Sequence, residues 1–219
     1  MEHRVEKLPD HERAHRALRQ MILYGDLAPG QPVTIQGLVE QMALGVTPVR
    51  EAIRRLTTQG ALAFKGNRRV EVPQMDAGVF AEISYARLAI EPHLARLATP
   101  RLTPEAIFAL SAANDATDRA IAQGDVSGYL RQNHRFHAGL YRAAGAEVLF
   151  ALSDTLWLRM GPSLRVVLGR HGTANLPDMH LEALAAMRAG DAEGVASAIR
   201  GDIEQGIAQV RTSLAAAPL

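Results

Sequence analysis

The chain has 219 residues, 47% hydrophobic and 21% charged, with mean hydropathy near zero; at roughly 100–200 residues per domain this is room for one large or two modest domains, and it excludes disorder and low-complexity polymer. It contains no cysteine, which excludes disulfides, thiolate metal sites and cysteine nucleophiles and leaves His, Asp, Glu and Asn as metal ligands. The net charge of +1 conceals an asymmetry, with 11 basic against 8 acidic residues before residue 75 and 13 against 15 after it. No run of about 18 apolar residues occurs and the opening segment is polar, so neither a membrane span nor a secretory leader is expected, and a cytoplasmic protein is.

Residues 12–24 carry Ala14, Leu18, Met21 and Ile22 at helical spacing, and the stretch Gly25 to Gly30 breaks that helix. Thr34 is placed to cap a short second helix ending near Met42. Thr47-Pro48 then reads as the start of a third helix running to about Gln59, with Thr47 as N-cap and Pro48 at the first helical position. Val49, Ile53 and Leu56 define its inner face, which sends Arg50, Arg54 and Arg55 outward. After Gly60, residues 61–64 and 70–72 read as two strands around a turn at Lys65-Gly66-Asn67-Arg68. From Asp76 onward the pattern is helical, in alanine-rich segments near 76–98, 104–123, 126–143, 147–169, 178–189 and 192–214 with short connections. The expectation is a mainly α protein: a winged helix-turn-helix over 1–75, then an antiparallel all-helical bundle of about six helices over 76–219.

Three helices and a hairpin wing suit DNA, and between Arg50 and Arg69 six basic residues stand against one acid, Glu51. Arg50, in the first turn of the third helix, can present a bidentate fork to guanine, a contact contributing about 1–3 kcal/mol of discrimination. Arg68 and Arg69 suit phosphates, and Arg55 is the weakest candidate. A dimer engaging two half-sites about one helical turn apart is expected. Winged helices also serve as protein-interaction modules, so a scaffold is an alternative reading.

The helical region places polar residues on apolar stripes. In the helix from Val126 the inward series runs Val126, Tyr129, Leu130, Asn133, Phe136, His137 and Leu140; His180 shares a stripe with Leu184 and Met187, and Asp202 one with Val195 and Ile199. Asn133, His137, His180 and Asp202 are thus candidate ligands for zinc, nickel, manganese or iron, or alternatively hydrogen-bonded core polars. His134 lies about 100° from Asn133 around the helix and is expected to be exposed, with a helix rotation able to exchange their roles. Arg87 and Glu91 share an apolar stripe at a spacing of four, which is consistent with an internal salt bridge. Histidines 3, 11, 15, 93 and 171 have no convergent partners by spacing and are expected at the surface. A metal-dependent helical enzyme is a further alternative, but no nucleophile motif, phosphate loop or nucleotide fingerprint accompanies it.

The segment Pro29-Gly30, then Leu38 to Met42, then TPVREAIRRL from Thr47 to Leu56 and Gly60 resembles GntR-type bacterial transcription regulators. Arg87 with Glu91, Phe136-His137 and His180 ahead of two alanine-rich helices are similar to the FCD ligand-binding domain of the FadR subfamily. The resemblance implies a cytoplasmic homodimer that binds double-stranded operator DNA, with a small carboxylate effector controlling affinity. It implies operator contacts from Thr47, Arg50 and Gly66 with Arg54 nearby, and a carboxylate held by Arg87. The family usually has Ser-Arg before Thr-Pro, where this chain has Gly45-Val46, so one arginine contact is missing. Metal-binding FCD domains carry an aspartate at the position of Asn133 and a histidine at that of Asp202. Here Asn133 offers only a neutral carbonyl, while Asp202 restores a negative charge.

Overall fold

The computed structural model of the protein describes residues 8–65, 69–165 and 177–216. Helix α1 (Asp10–Leu23) begins two residues before the expected start, with Asp10 and Glu12 in its first turn, where acidic side chains favour the positive end of the helix dipole. Its buried stripe is the expected one, Ala14, Leu18, Met21 and Ile22. Beyond it, Gly30 adopts φ +75° and donates its N–H to Val72 O at 2.8 Å. A Cβ there would lie 2.7 Å from Gln74 Nε2, the end of a flexible side chain, so it is the backbone rather than the space that calls for glycine.

Strand β1 (Pro32–Val33) leads to α2 (Ile35–Met42), where the Thr34 hydroxyl accepts from Gly37 N at 3.1 Å as the expected cap. Helix α3 (Val46–Thr58) buries Val49, Ala52, Ile53 and Leu56 against α1 and α2. Its N-cap is Gly45 rather than Thr47. Proline fits anywhere in a first turn, where N–H groups have no helical partner, so Pro48 marks the turn but not its first residue. Strands β2 (Ala63–Lys65) and β3 (Arg69–Glu71) pair antiparallel with Phe64 opposite Val70. Among the described residues the wing is a three-stranded sheet in the order β1-β3-β2, because β1 pairs with the other edge of β3. The two-strand expectation missed β1 because a two-residue strand carries no readable alternation.

The helical region comprises α4 (Ala77–Ala98), α5 (Pro104–Gln123), α6 (Val126–Ala143), α7 (Glu147–Met160), α8 (Met179–Ala189) and α9 (Ala192–Ala216). Side chains of Asp76, Thr103, Asp125, Asp178 and Asp191 each accept a backbone N–H three residues on, fixing the starts of α4, α5, α6, α8 and α9. Helix α7 stops at Met160 instead of reaching 169. Gly161-Pro162 converts the chain to a 3-10 turn over Gly161–Leu164, since proline lacks the N–H that would continue the ladder. Pro92 inside α4 likewise cannot bond Leu88 O, and Arg200 of α9 donates to that carbonyl at 3.2 Å. Helices α4 and α9 make the most extensive helix contact, with α5 against α6 next.

The winged region meets the helical one through the end of α1. Arg19 pairs with Asp154 at 2.5 Å, Arg165 donates to Gly25 O, and a Cβ on Gly161 would come 2.8 Å from Leu23 O. Among the described residues no helix is long and apolar enough to cross a membrane.

Candidate functional site

Two parts of the molecule carry chemistry. On α3, Val46, Thr47, Arg50, Arg54 and Thr58 form an exposed stripe opposite the buried face. Arg50 has no ion pair or side-chain hydrogen bond among the described residues. Arg54 donates to both Glu51 carboxylate oxygens at 3.0 and 2.8 Å. Arg55 instead turns back to Glu12 of α1 at 2.7 Å, so it ties two helices together. Arg69 is exposed, and Lys65 reaches Glu71 at 3.2 Å. Gly66 and Arg68, the remaining candidates for DNA contact, lie outside the described residues, as do His3 and His171. His11 and His93 are exposed as expected, but His15 is half-buried between α1 and α3, near Arg55 and Gln59.

The second site lies inside the helical region. His137 (α6), His180 (α8) and Asp202 (α9) converge: the two Nε2 atoms are 3.2 Å apart, His137 Nε2 is 3.0 Å from Asp202 Oδ2, and His180 Nε2 is 3.6 Å from Asp202 Oδ1. Both imidazoles are buried, and Phe136 stacks on His180 with ring centroids 4.0 Å apart. Burial pushes the His180 pKa down to about 4, against the pull of Asp202. Burial alone would raise the Asp202 carboxyl, but His137 and His180 hold it below the ordinary carboxylate range.

The outer nitrogens fix the tautomers. His180 Nδ1 lies 2.9 Å from Asn114 Oδ1, while the Asn114 amide nitrogen faces Asp178 at 3.5 Å, so the imidazole donates. Tyr141 gives its one proton to Glu91 at 2.8 Å and therefore accepts from His137 Nδ1 at 2.9 Å. In the neutral form both rings thus turn bare Nε2 lone pairs toward each other and toward a carboxylate. Three acceptors facing one another are relieved by a proton on one imidazole or by a metal cation between them. Ligand arms of about 2.0–2.1 Å at tetrahedral or octahedral angles give ligand-to-ligand edges of about 3.0–3.4 Å, close to the distances here. The donor set therefore fits a divalent metal, and the Asn114 and Tyr141 contacts would orient the ligating rings.

Beneath this group Arg87 and Glu91 form a buried pair, Nε to Oε1 at 2.6 Å and Nη2 to Oε2 at 3.1 Å. Trp157 Nε1 also donates to Glu91 at 3.1 Å, and the Arg87 guanidinium lies 4.4 Å from the Trp157 ring centre. Burial works against the charge on Arg87, and the Glu91 carboxylate overrides it and raises the Arg87 pKa. Two small cavities flank the group, and Asn133 lines both. His134 is not exposed: it is half-buried, 3.9 Å from Asp154, with its ring edge-on to Trp157 and Tyr24.

Against known families, residues 11–72 match bacterial regulatory proteins of the gntR family, and residues 82–205 match the FCD domain. The chain belongs to the gntR family and carries an FCD domain. The HTH-type transcriptional regulator McbR of Escherichia coli (strain K12) is 30% identical over 195 residues, spanning 87% of this chain and 88% of McbR. The HTH-type transcriptional repressor RspR of the same strain is 23% identical, over 93% of this chain and 91% of RspR. The solved structure of E. coli McbR/YncC superimposes with a TM-score of 0.87 at 27% identity, covering 94% of this chain and 99% of that one.

This gntR-family protein is thus a transcriptional regulator with an N-terminal winged helix and a helical FCD domain. Regulators of the family bind operator DNA and usually act as dimers. In its FCD domain the structure brings His137, His180 and Asp202 together and sets Asn133 at the cavities beside them. The reading of the sequence did not reach Asn114, Tyr141 or Trp157. Asn114 and Thr117 interrupt the buried face of α5, and Tyr141 stands one turn beyond His137, so both carried a signal of polar groups on an inner stripe. Nothing in the sequence ties Trp157 to Glu91.

Proposed function

We propose that the protein is a homodimeric repressor whose hold on operator DNA is set by a small organic acid bound at a divalent metal in the FCD domain. The division into a DNA-binding unit over 1–75 and an effector and dimerisation unit over 76–219 is part of this proposal. The observation that carries it is the exposed stripe of α3, on which Arg50 stands free in solvent with Thr47 and Arg54 beside it. Arg50 reads a guanine edge, Thr47 and Arg54 secure the adjacent bases and backbone, and Gly66 and Arg68 of the wing complete the contact. The repressor reading draws on RspR, and both named relatives are regulators rather than enzymes.

The metal, one of zinc, nickel, manganese or iron, would be held by His137, His180 and Asp202, with the Asn133 carbonyl as a fourth donor, and would supply a Lewis-acidic seat for a carboxylate. Arg87 keeps its bond to Glu91 while presenting guanidinium to the smaller cavity. The proposed dimer face is the apolar surface of α4 and α7, where Tyr85, Val148 and Leu152 are 77%, 75% and 50% exposed. Trp157, next to Arg87, touches His134, which meets Tyr24 at the end of α1. An effector that binds two arrangements of this contact differently would change how α3 is presented.

Fluorescence anisotropy against the protein's own upstream region and a scrambled duplex, in a salt series with and without chelator, tests the proposal. Tight, salt-dependent binding to the upstream region alone, altered by chelator, is expected. Equal weak binding to both duplexes would favour a protein-interaction scaffold instead. His137→Ala is expected to lower bound metal and melting temperature; unchanged metal content in the purified variant would dismiss the cage.

A further inference from the structure

The two cavities beside the His137–His180–Asp202 group differ in charge, and that difference names a class of effector. The smaller, about 60 Å³, is lined by Arg87, Trp157 and Leu164; the larger, about 130 Å³, by Asn114, Thr117, Asp118, Asp178 and His180. Tyr129, Asn133, Asp202 and Gln205 line both, so the cavities are two ends of one site with Asn133 on the ridge between them. Asn133 is only 7% exposed, and its amide has no hydrogen-bond partner among the described residues. Its amide faces the two cavities, where it is open to a partner.

The ends make opposite demands. The smaller holds a guanidinium beside the proposed metal seat, which suits an anion. Among the described residues the larger is lined by no lysine or arginine, and its wall carries the Asp118 and Asp178 carboxylates. Asp178 spends one oxygen capping α8, on Leu181 N, and Asp118 has no ion pair or hydrogen bond among the described residues. An anion would meet two like charges there, and an apolar tail would strand polar groups. Size also limits the ligand: a cavity of about 150 Å³ takes a benzene ring, so the larger end accepts a short chain with a compact head.

We propose that the effector is a small zwitterion, its carboxylate beside Arg87 and the His137–His180–Asp202 group, its chain crossing the Asn133 amide, and its ammonium group facing Asp118 and Asp178. The proposal rests on the reading of this cavity pair as the effector site. Asp118 then determines specificity by charge at the far end of the ligand.

Isothermal titration of the full-length protein, zinc-loaded and chelator-treated, with 4-aminobutyrate, 4-hydroxybutyrate and glutarate as probes, tests this. The three share a carboxylate and differ at the far end. The ammonium probe is expected to bind about tenfold or more tighter than glutarate. Asp118→Asn, with its melting temperature as folding control, is expected to remove most of that preference by weakening the ammonium probe while leaving glutarate unchanged or tighter. Glutarate binding as well as 4-aminobutyrate, or a preference untouched by Asp118→Asn, would overturn the zwitterion while leaving the effector site standing. Failure of all three probes to bind would overturn both.

Discussion

The recognition helix and the FCD interior handle charge in opposite ways. On α3, Arg50 and Arg54 stand in solvent, and among the described residues the one side-chain partner of either is Glu51, which Arg54 reaches from one turn along the same helix. In the FCD domain Arg87, Glu91, His137 and His180 are buried, and each is bonded to groups on other helices or one turn along. Exposed charge keeps its hydration until DNA replaces it, so it contributes little to folding and much to binding. Buried charge must be paired within the fold, so removing one partner damages the fold first.

The largest expected effect is therefore on stability. Glu91 accepts from Arg87, Tyr141 and Trp157 and has no exposed surface. Glu91→Ala leaves Arg87 buried without a counter-charge, at a cost of about 3–5 kcal/mol. Calorimetry should show melting lowered by about 10 °C; a melting temperature within about 2 °C of the parent would mean that Arg87 finds another partner and that its charge does not depend on Glu91 within the fold.

Next comes Arg50→Ala, expected to weaken specific operator binding by about 1–3 kcal/mol per half-site, or about 5- to 150-fold, with melting unchanged. Anisotropy beside a melting curve separates the two readouts, and a variant that bound its operator normally would remove Arg50 from the interface. Arg54→Ala should cost less, because Arg54 already divides its hydrogen bonds with Glu51.

The smallest effect tests the departure at Val46, 43% exposed at the first residue of α3. Val46→Arg adds a cation to the stripe and should steepen the salt dependence of DNA binding by about one ion per half-site. An unchanged salt slope would indicate that the start of α3 points away from the phosphates.

Much of this architecture was legible because it is local. Thr34 as a cap, the Val49-Ile53-Leu56 face and the inward stripe of α6 all follow from periodicity and capping chemistry, which act over one or two turns. His137, His180 and Asp202 could be picked out because each interrupts an apolar stripe. The limits show where locality ends. His134, 100° from the stripe, is covered because α7 brings Trp157 and Asp154 to it and the end of α1 brings Tyr24, and Arg55 turns toward α1 because Glu12 lies on that neighbouring helix.

By itself the sequence determined the two kinds of region, the faces of their helices and which polar side chains point inward, since these depend on neighbours three or four residues away. Only the tertiary structure decided that imidazole nitrogens from α6 and α8 come within 3.0 and 3.6 Å of a carboxylate from α9, that Tyr141 and Trp157 converge on Glu91, and that Asn133 stands between a cavity lined by Arg87 and one lined by Asp118 and Asp178. Those distances are set by how α4 packs on α9 and α5 on α6, contacts between segments far apart in the chain whose register no local pattern encodes.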